Sequence, residues 1–132
     1  MATIVLVEDD GDIRAVTARI LHRAGHAVVE AADGAAGLQA VHTHQPQAVV
    51  TDIDMPVMSG VQLCLALRAD PRTASLPVVV VSGSLMPGDS RPFDAQATAI
   101  LSKPFVPKEL IACVEKALRT GHIEGQQPIV SP

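Results

Sequence analysis

Ile4-Val5-Leu6-Val7-Glu8-Asp9-Asp10 sets four consecutive apolar residues directly against three acids. A short continuous apolar run marks a strand covered on both faces, as in a parallel sheet. The same kind of run recurs down the chain. Ala27-Val28-Val29 is shorter and ends in the polar Glu30, which suits a sheet edge, and Ala48-Val49-Val50-Thr51 follows. Pro77 opens Val78-Val79-Val80-Val81, which contains no polar residue, and Thr98 to Leu101 makes a fifth strand. Helical spacing fills the gaps. Ile13, Val16, Thr17, Ile20, Leu21 and Ala24 lie on one stripe that stops at Gly25. A helix is expected over about Gly34–His44, with Leu38 and Val41 inward and Pro46 ending it. Ser59 is placed to cap the next helix, which carries Val61, Cys64, Leu65 and Arg68. Pro107 stands at a first helical position before the stripe Leu110, Cys113, Val114, Ala117 and Leu118, which ends before Gly121. Between Gly83 and Ala95, Pro87, Gly88 and Pro92 permit at most a short helix near Arg91–Ala95. Five strands alternating with helices predict an α/β fold, a doubly wound parallel sheet with helices on both faces.

The 132 residues fit one domain, read as 1–120, with 121–132 a C-terminal tail lacking periodicity and expected to be flexible. Hydrophobic residues make up 48% and charged residues 18%, a globular balance. Phe93 and Phe105 are the only Phe, Tyr or Trp residues, so the core must be Val, Leu, Ile and Ala. A net charge of −4 and a pI near 5.6 argue against a nucleic-acid or anionic-membrane surface. Cys64 and Cys113 sit in apolar helical patterns and read as core residues, which makes a disulfide scaffold a poor reading and the cytoplasm the natural compartment. No apolar run approaches the roughly 18 residues of a membrane span, and the amino terminus lacks a signal-peptide pattern.

In an open parallel sheet, ligand chemistry gathers at the carboxyl ends of the strands. Those ends carry Glu8-Asp9, Asp52, Ser82-Gly83 and Ser102-Lys103. Three carboxylates at one rim repel, by about 4 kcal/mol per pair at ~4 Å and an effective dielectric of 20. Either some protonate or a cation sits among them. All-oxygen ligands suit a hard divalent ion, most naturally Mg²⁺, with Mn²⁺ as a substitute. An ammonium at Lys103 is compatible with that ion when an anion lies between them. A phosphoryl group meets this need, with Lys103 and the Ser82 hydroxyl each on an oxygen. Asp52, at the end of the central strand, is then placed to attack phosphorus and become an acyl phosphate.

Bland readings stand beside these. Asp10 and Asp12 read as helix-capping acids at the positive end of the dipole. For Glu8 and Asp9 the functional reading is the stronger. Asp52, Ser82 or Lys103 taken singly would be a turn residue, an ordinary strand exit and a solvated lysine; the case is their joint occurrence at successive strand ends. His42-Thr43-His44 reads as an exposed helix end, since no acid or Cys accompanies it at ligand spacing. His22, His26 and His122 carry no signal, and Met55 and Met58 read as packing residues.

Four pieces, Val5-Leu6-Val7-Glu8-Asp9-Asp10, Asp52-Ile53-Asp54-Met55-Pro56-Val57-Met58-Ser59-Gly60, Pro77 to Gly83, and Ser102-Lys103-Pro104-Phe105, resemble the receiver domain of two-component response regulators over residues 3 to about 119. The resemblance implies a five-stranded flavodoxin-like sheet of order 2-1-3-4-5. It implies that Asp52 accepts a phosphoryl group from a histidine kinase or phosphotransfer protein. It makes Asp9 and Asp52 Mg²⁺ ligands through their carboxylates, Asp54 through its backbone carbonyl and Glu8 through water. Ser82, Gly83 and Lys103 would hold phosphoryl oxygens, and the Lys103–Pro104 peptide would be cis. Ser82 and position 100 would form the switch. There the family usually carries Tyr or Phe, whereas this chain has Ile100, which has no ring to rotate. The Pro-broken segment 84–93 also departs from the family's regular fourth helix.

Two other functions compete. Asp52-Ile53-Asp54 resembles the Asp-x-Asp of haloacid-dehalogenase-type phosphatases, with Asp52 as nucleophile and Asp54 as acid–base. That family places the motif at its first strand and adds late acids that are missing here. The other competitor is a degenerate receiver that only binds proteins, against which the intact acids, Ser82 and Lys103 count. The favoured expectation is a signalling phosphoacceptor rather than an enzyme. Its only chemistry would be its own phosphorylation and dephosphorylation, and its output would pass through contact with an unidentified downstream protein, with no direct nucleic-acid or membrane partner.

Overall fold

The computed structural model describes residues 2–86, 88–123 and 125–130. Strands β1 (Thr3–Val7), β2 (Ala27–Ala31), β3 (Ala48–Asp52), β4 (Val78–Ser82), β5 (Ala99–Ser102) and β6 (Ile129–Val130) form one sheet of order β2-β1-β3-β4-β5-β6, with every pairing parallel. Helices α1 (Gly11–Arg23), α2 (Gly34–His44), α3 (Gly60–Ala69), α4 (Arg91–Asp94) and α5 (Pro107–Thr120) connect them. The expected order 2-1-3-4-5 is present, but the sheet has six strands rather than five. The sixth comes from residues 129–130, within the stretch read as a tail. It forms because β5 would otherwise expose its outer edge: the Ile129 N–H donates to the Thr98 carbonyl at 2.9 Å, and the Ile129 side chain packs on the core. Two residues are too few to show periodicity in a sequence. Pro87 and the final Pro132 lie outside the described residues, as does Glu124.

The strands are apolar on both sides because each side is covered. Ile4, Leu6, Val50, Val79, Val81 and Leu101 face Leu21 of α1 and Leu110, Val114 and Ala117 of α5. Val5, Val7, Val49, Val78 and Val80 face Val41 of α2 and Leu63, Cys64 and Leu67 of α3. The alternation follows from the two-residue period of a strand. Each fully buried Val or Leu contributes roughly 1.5–3 kcal/mol relative to exposure, and most of the apolar strand residues belong to one of the two layers. Among the described residues no helix is long and apolar enough to cross a membrane.

Caps place the helices at the sheet's carboxyl edge. Asp10 accepts from the N–H groups of Asp12 (2.9 Å) and Ile13 (3.1 Å) and starts α1. Ser59 and Gln62 form a reciprocal capping box at α3. As expected, α4 is a single turn, with Pro92 in it.

Candidate functional site

The rim residues meet where the alternating topology sends them. β1 and β3 are neighbours, so Glu8, Asp9 and Asp52 leave the sheet side by side, and each offers a carboxylate oxygen within 4.8 Å of the others. Lys103 follows β5 two strands away, and its chain crosses the mouth of β4. Its Nζ lies 2.8 Å from Glu8 Oε1 and 3.2 Å from Asp52 Oδ2. The Lys103–Pro104 peptide is cis. Asp52 Oδ1 accepts the N–H of Ile53 at 2.7 Å, and Glu8 Oε2 that of Asp10 at 3.3 Å. Glu8 is buried and Asp9 exposed. Arg14 Nη1 donates to the Glu8 carbonyl at 2.8 Å and steadies the turn out of β1.

The charges hold one another in place. Burial pushes the Glu8 carboxyl above its ordinary pKa, opposed by the hydrogen bond and charge of Lys103. For Lys103, burial disfavours the charged form, but the hydrogen bonds and charges of Glu8 and Asp52 outweigh it and raise the pKa. The ammonium therefore stays charged at neutral pH.

A divalent cation fits this donor set. Three carboxylates converge, all donors are oxygen, and one of the three acids lies open to solvent, where a hydrated ion keeps its waters. Gly60 keeps the loop after β3 closed over the site. Its N–H donates to the Ile53 carbonyl at 2.8 Å, and a Cβ there would sit 2.1 Å from the Asp52 carbonyl oxygen. In the same loop the exposed Val57 has φ 69°, a costly conformation for a β-branched residue.

A family model for the response regulator receiver domain matches residues 4–115. The chain belongs to this family. It is 39% identical over 117 residues to the transcriptional regulatory protein PrrA of Mycobacterium bovis, matching 88% of this chain and 49% of that protein. The chain thus spans about half the length of the curated relatives it matches first. Among solved structures, the chemotaxis protein CheY4 of Vibrio cholerae superposes with a TM-score of 0.83 at 28% identity, over 88% of this chain and 98% of that one. The receiver domain of the sensor histidine kinase PA1611 from Pseudomonas aeruginosa, solved with a magnesium ion in its active-site cleft, gives 0.79 at 25% identity over 90% of this chain and 95% of that one.

The remaining expected residues of the receiver divide into two groups. Ser82 ends β4, almost wholly buried, with its Oγ 3.0 Å from Ser84 Oγ and accepting the Ser84 N–H at 3.1 Å. Gly83 is exposed and lies against Lys103, close enough that a Cβ there would reach 3.6 Å from Lys103 Cβ. Ile100 lies apart, buried on β5 between Val80 of β4 and Val130 of β6. It borders a cleft of about 330 Å³ shared with Leu85, Met86 and Phe93. The Asp54 side chain lies outside the Glu8–Asp9–Asp52 cluster: its Oδ1 accepts from Arg91 Nη1 at 3.1 Å and its Oδ2 from Ser84 Oγ. Ser84 and Arg91 were missed in the sequence. The doubled serine in Ser82-Gly83-Ser84 was the available signal for the first. Nothing local marked Arg91, 37 residues from Asp54.

Proposed function

We propose that Asp52 is the phosphoacceptor of this receiver domain and takes a phosphoryl group from the phosphohistidine of a histidine kinase or phosphotransfer protein. The observation that carries this reading is the Lys103 ammonium bridging Glu8 and Asp52, beside a third carboxylate at Asp9. An Asp52 carboxylate oxygen forms the new bond to phosphorus. The phosphorus–nitrogen bond of the donor breaks, and its electron pair stays on the imidazole, which takes a proton. Lys103 leaves its carboxylate partners for a phosphoryl oxygen, and the Ser82 hydroxyl and Gly83 N–H serve the others. Bound through Asp9, Asp52 and the Asp54 carbonyl, with Glu8 behind a water, Mg²⁺ or Mn²⁺ would neutralise the charge that gathers on the phosphoryl oxygens. Glu8 and Asp9 stand at the rim as oxygen donors for that ion.

An apolar cleft beside the site supports a path for the donor. Ile13 and Val16 of α1 stand 40% and 57% exposed in an open apolar cleft of about 600 Å³, lined on its other side by Pro104, Phe105 and Lys103 itself. Because Lys103 lines both the cleft and the site, a donor helix seated on α1 would bring its phosphohistidine to Asp52. Kinase contact and reduced thiols suit a cytoplasmic location, and the output would run through contact with a downstream protein rather than through substrate turnover.

Incubation with phosphoramidate and Mg²⁺, followed by intact mass measurement, tests the reading. The wild-type chain should gain one phosphate and Asp52→Asn none. Equal uptake by the variant would show that another residue is the nucleophile. Continuous release of phosphate from a phosphomonoester would point instead to a phosphatase.

A further inference from the structure

Arg91, in the first turn of α4, reaches across the site's outer rim. Its guanidinium donates to Asp54 Oδ1 (3.1 Å) and Ser84 Oγ (3.0 Å), and is braced from its own side by both carboxylate oxygens of Asp89. Both oxygens of Asp54 are thereby engaged, one by Arg91 and the other by Ser84. Ser84 Oγ is in turn 3.0 Å from Ser82 Oγ, the hydroxyl assigned to a phosphoryl oxygen. The Asp54 carboxylate is therefore two hydrogen bonds from the Ser82 hydroxyl that would hold that oxygen, yet it is tied toward α4.

This position matters for how the acyl phosphate is lost. In hydrolysis, a water oxygen forms a bond to phosphorus as the phosphorus–oxygen bond to Asp52 breaks. The electron pair returns to the Asp52 carboxylate, and the water's protons leave with inorganic phosphate and solvent. In-line attack requires the water to come from the side opposite Asp52, and the side chains bonded in series outward from Ser82 at the rim are Ser84, Asp54 and Arg91. A carboxylate free to turn there would accept a hydrogen bond from that water and aim its lone pair at phosphorus. Resting on the phosphoacceptor reading, we propose that Arg91 is a positioning residue that prolongs the life of the phosphoryl group on Asp52 by holding the Asp54 carboxylate against Ser84. The short, Pro-containing α4 gains a purpose in this arrangement, since it delivers the arginine to the rim.

The test is a double-variant cycle on the phosphorylated chain. Protein loaded with phosphoramidate and Mg²⁺ is desalted, and loss of the phosphate mass is followed with time. Arg91→Ala should shorten the half-life about tenfold, below the hundredfold that a fully positioned group supplies. Arg91→Lys, which keeps the charge but loses the fork, should fall between. In an Asp54→Ala background, Arg91→Ala should change nothing, which a general loosening of α4 would not reproduce. An unchanged half-life in Arg91→Ala, or a shortening that persists without Asp54, overturns the proposal while leaving Asp52 as acceptor. Failure of the wild-type chain to take phosphate, or equal uptake by Asp52→Asn, would instead remove the reading on which it rests.

Discussion

Replacing Lys103 with methionine keeps the apolar stem and removes the ammonium. Glu8 and Asp52, now without the cation that lies 2.8 and 3.2 Å from them, are left with oxygens within 4.8 Å of each other. Two unit charges at that separation repel by about 3.5 kcal/mol at an effective dielectric near 20. The buried Glu8 escapes by taking a proton, which from the ordinary carboxyl value of 4.5 costs about 3.4 kcal/mol at pH 7. Both routes give the same order, so Lys103→Met should lose about 2–4 kcal/mol at pH 7. The pH dependence identifies the cause. With the Glu8 pKa raised further in the folded variant, the folded chain binds its proton more tightly than the unfolded chain does. The variant's stability therefore rises as pH falls, and at pH 5 the proton costs only about 0.7 kcal/mol. Urea midpoints at pH 5, 6 and 7 should show the gap to wild type narrowing toward acid. Millimolar Mg²⁺ should raise the variant's midpoint more than the wild type's, and chelation should reverse this. A deficit below 0.5 kcal/mol at pH 7, or one that is the same at pH 5, would refute the reasoning.

Three further outcomes are expected. Gly60→Ala should cost about 1–3 kcal/mol and slow phosphate uptake, because its Cβ would force the Asp52 carbonyl to move; unchanged melting and uptake would count against the tight loop. Thr98→Val should lose about 1–3 kcal/mol in thermal melting, since the hydroxyl meets the Val78 N–H at 3.0 Å, Arg68 Nη2 at 3.4 Å and His122 Nδ1 at 2.9 Å. Burial pushes the Cys64 thiol up to about 11, so it carries almost no thiolate at pH 8. The native chain should resist a disulfide reagent at that pH, and denaturant should expose both cysteines at once.

What could be read in advance were features tied to a strand. Glu8, Asp52, Ser82 and Lys103 stand where an apolar run stops, and a parallel sheet gathers such positions at one edge. The helix from Gly34 to His44 was also legible, because its inward Leu38 and Val41 and its stopping Pro46 are all local. Contacts made by a long side chain across loops were not. Arg68 donates to the carbonyls of Ala74, Leu76 and Gln96, and Arg91 to Asp54; a guanidinium leaves no periodic trace of where its fork lands. β6 escaped for a related reason, since pairing along an unoccupied edge depends on what the edge offers more than on the two residues that fill it. At the seam of β3, one residue separated expectation from structure: Asp52 belongs to the strand itself, paired with Val81, and so points its carboxylate from a fixed backbone.

The last strand changes what β5 can offer to a visitor. Ala99 and Ile100 are already engaged by Ile129 and Val130, so a guest segment seeking to extend the sheet on that flank would have to evict the resident first. With only two rungs to undo, at about 1 kcal/mol for each backbone hydrogen bond, the barrier is low enough for a strong binder and high enough to discourage casual self-association through a bare sheet margin.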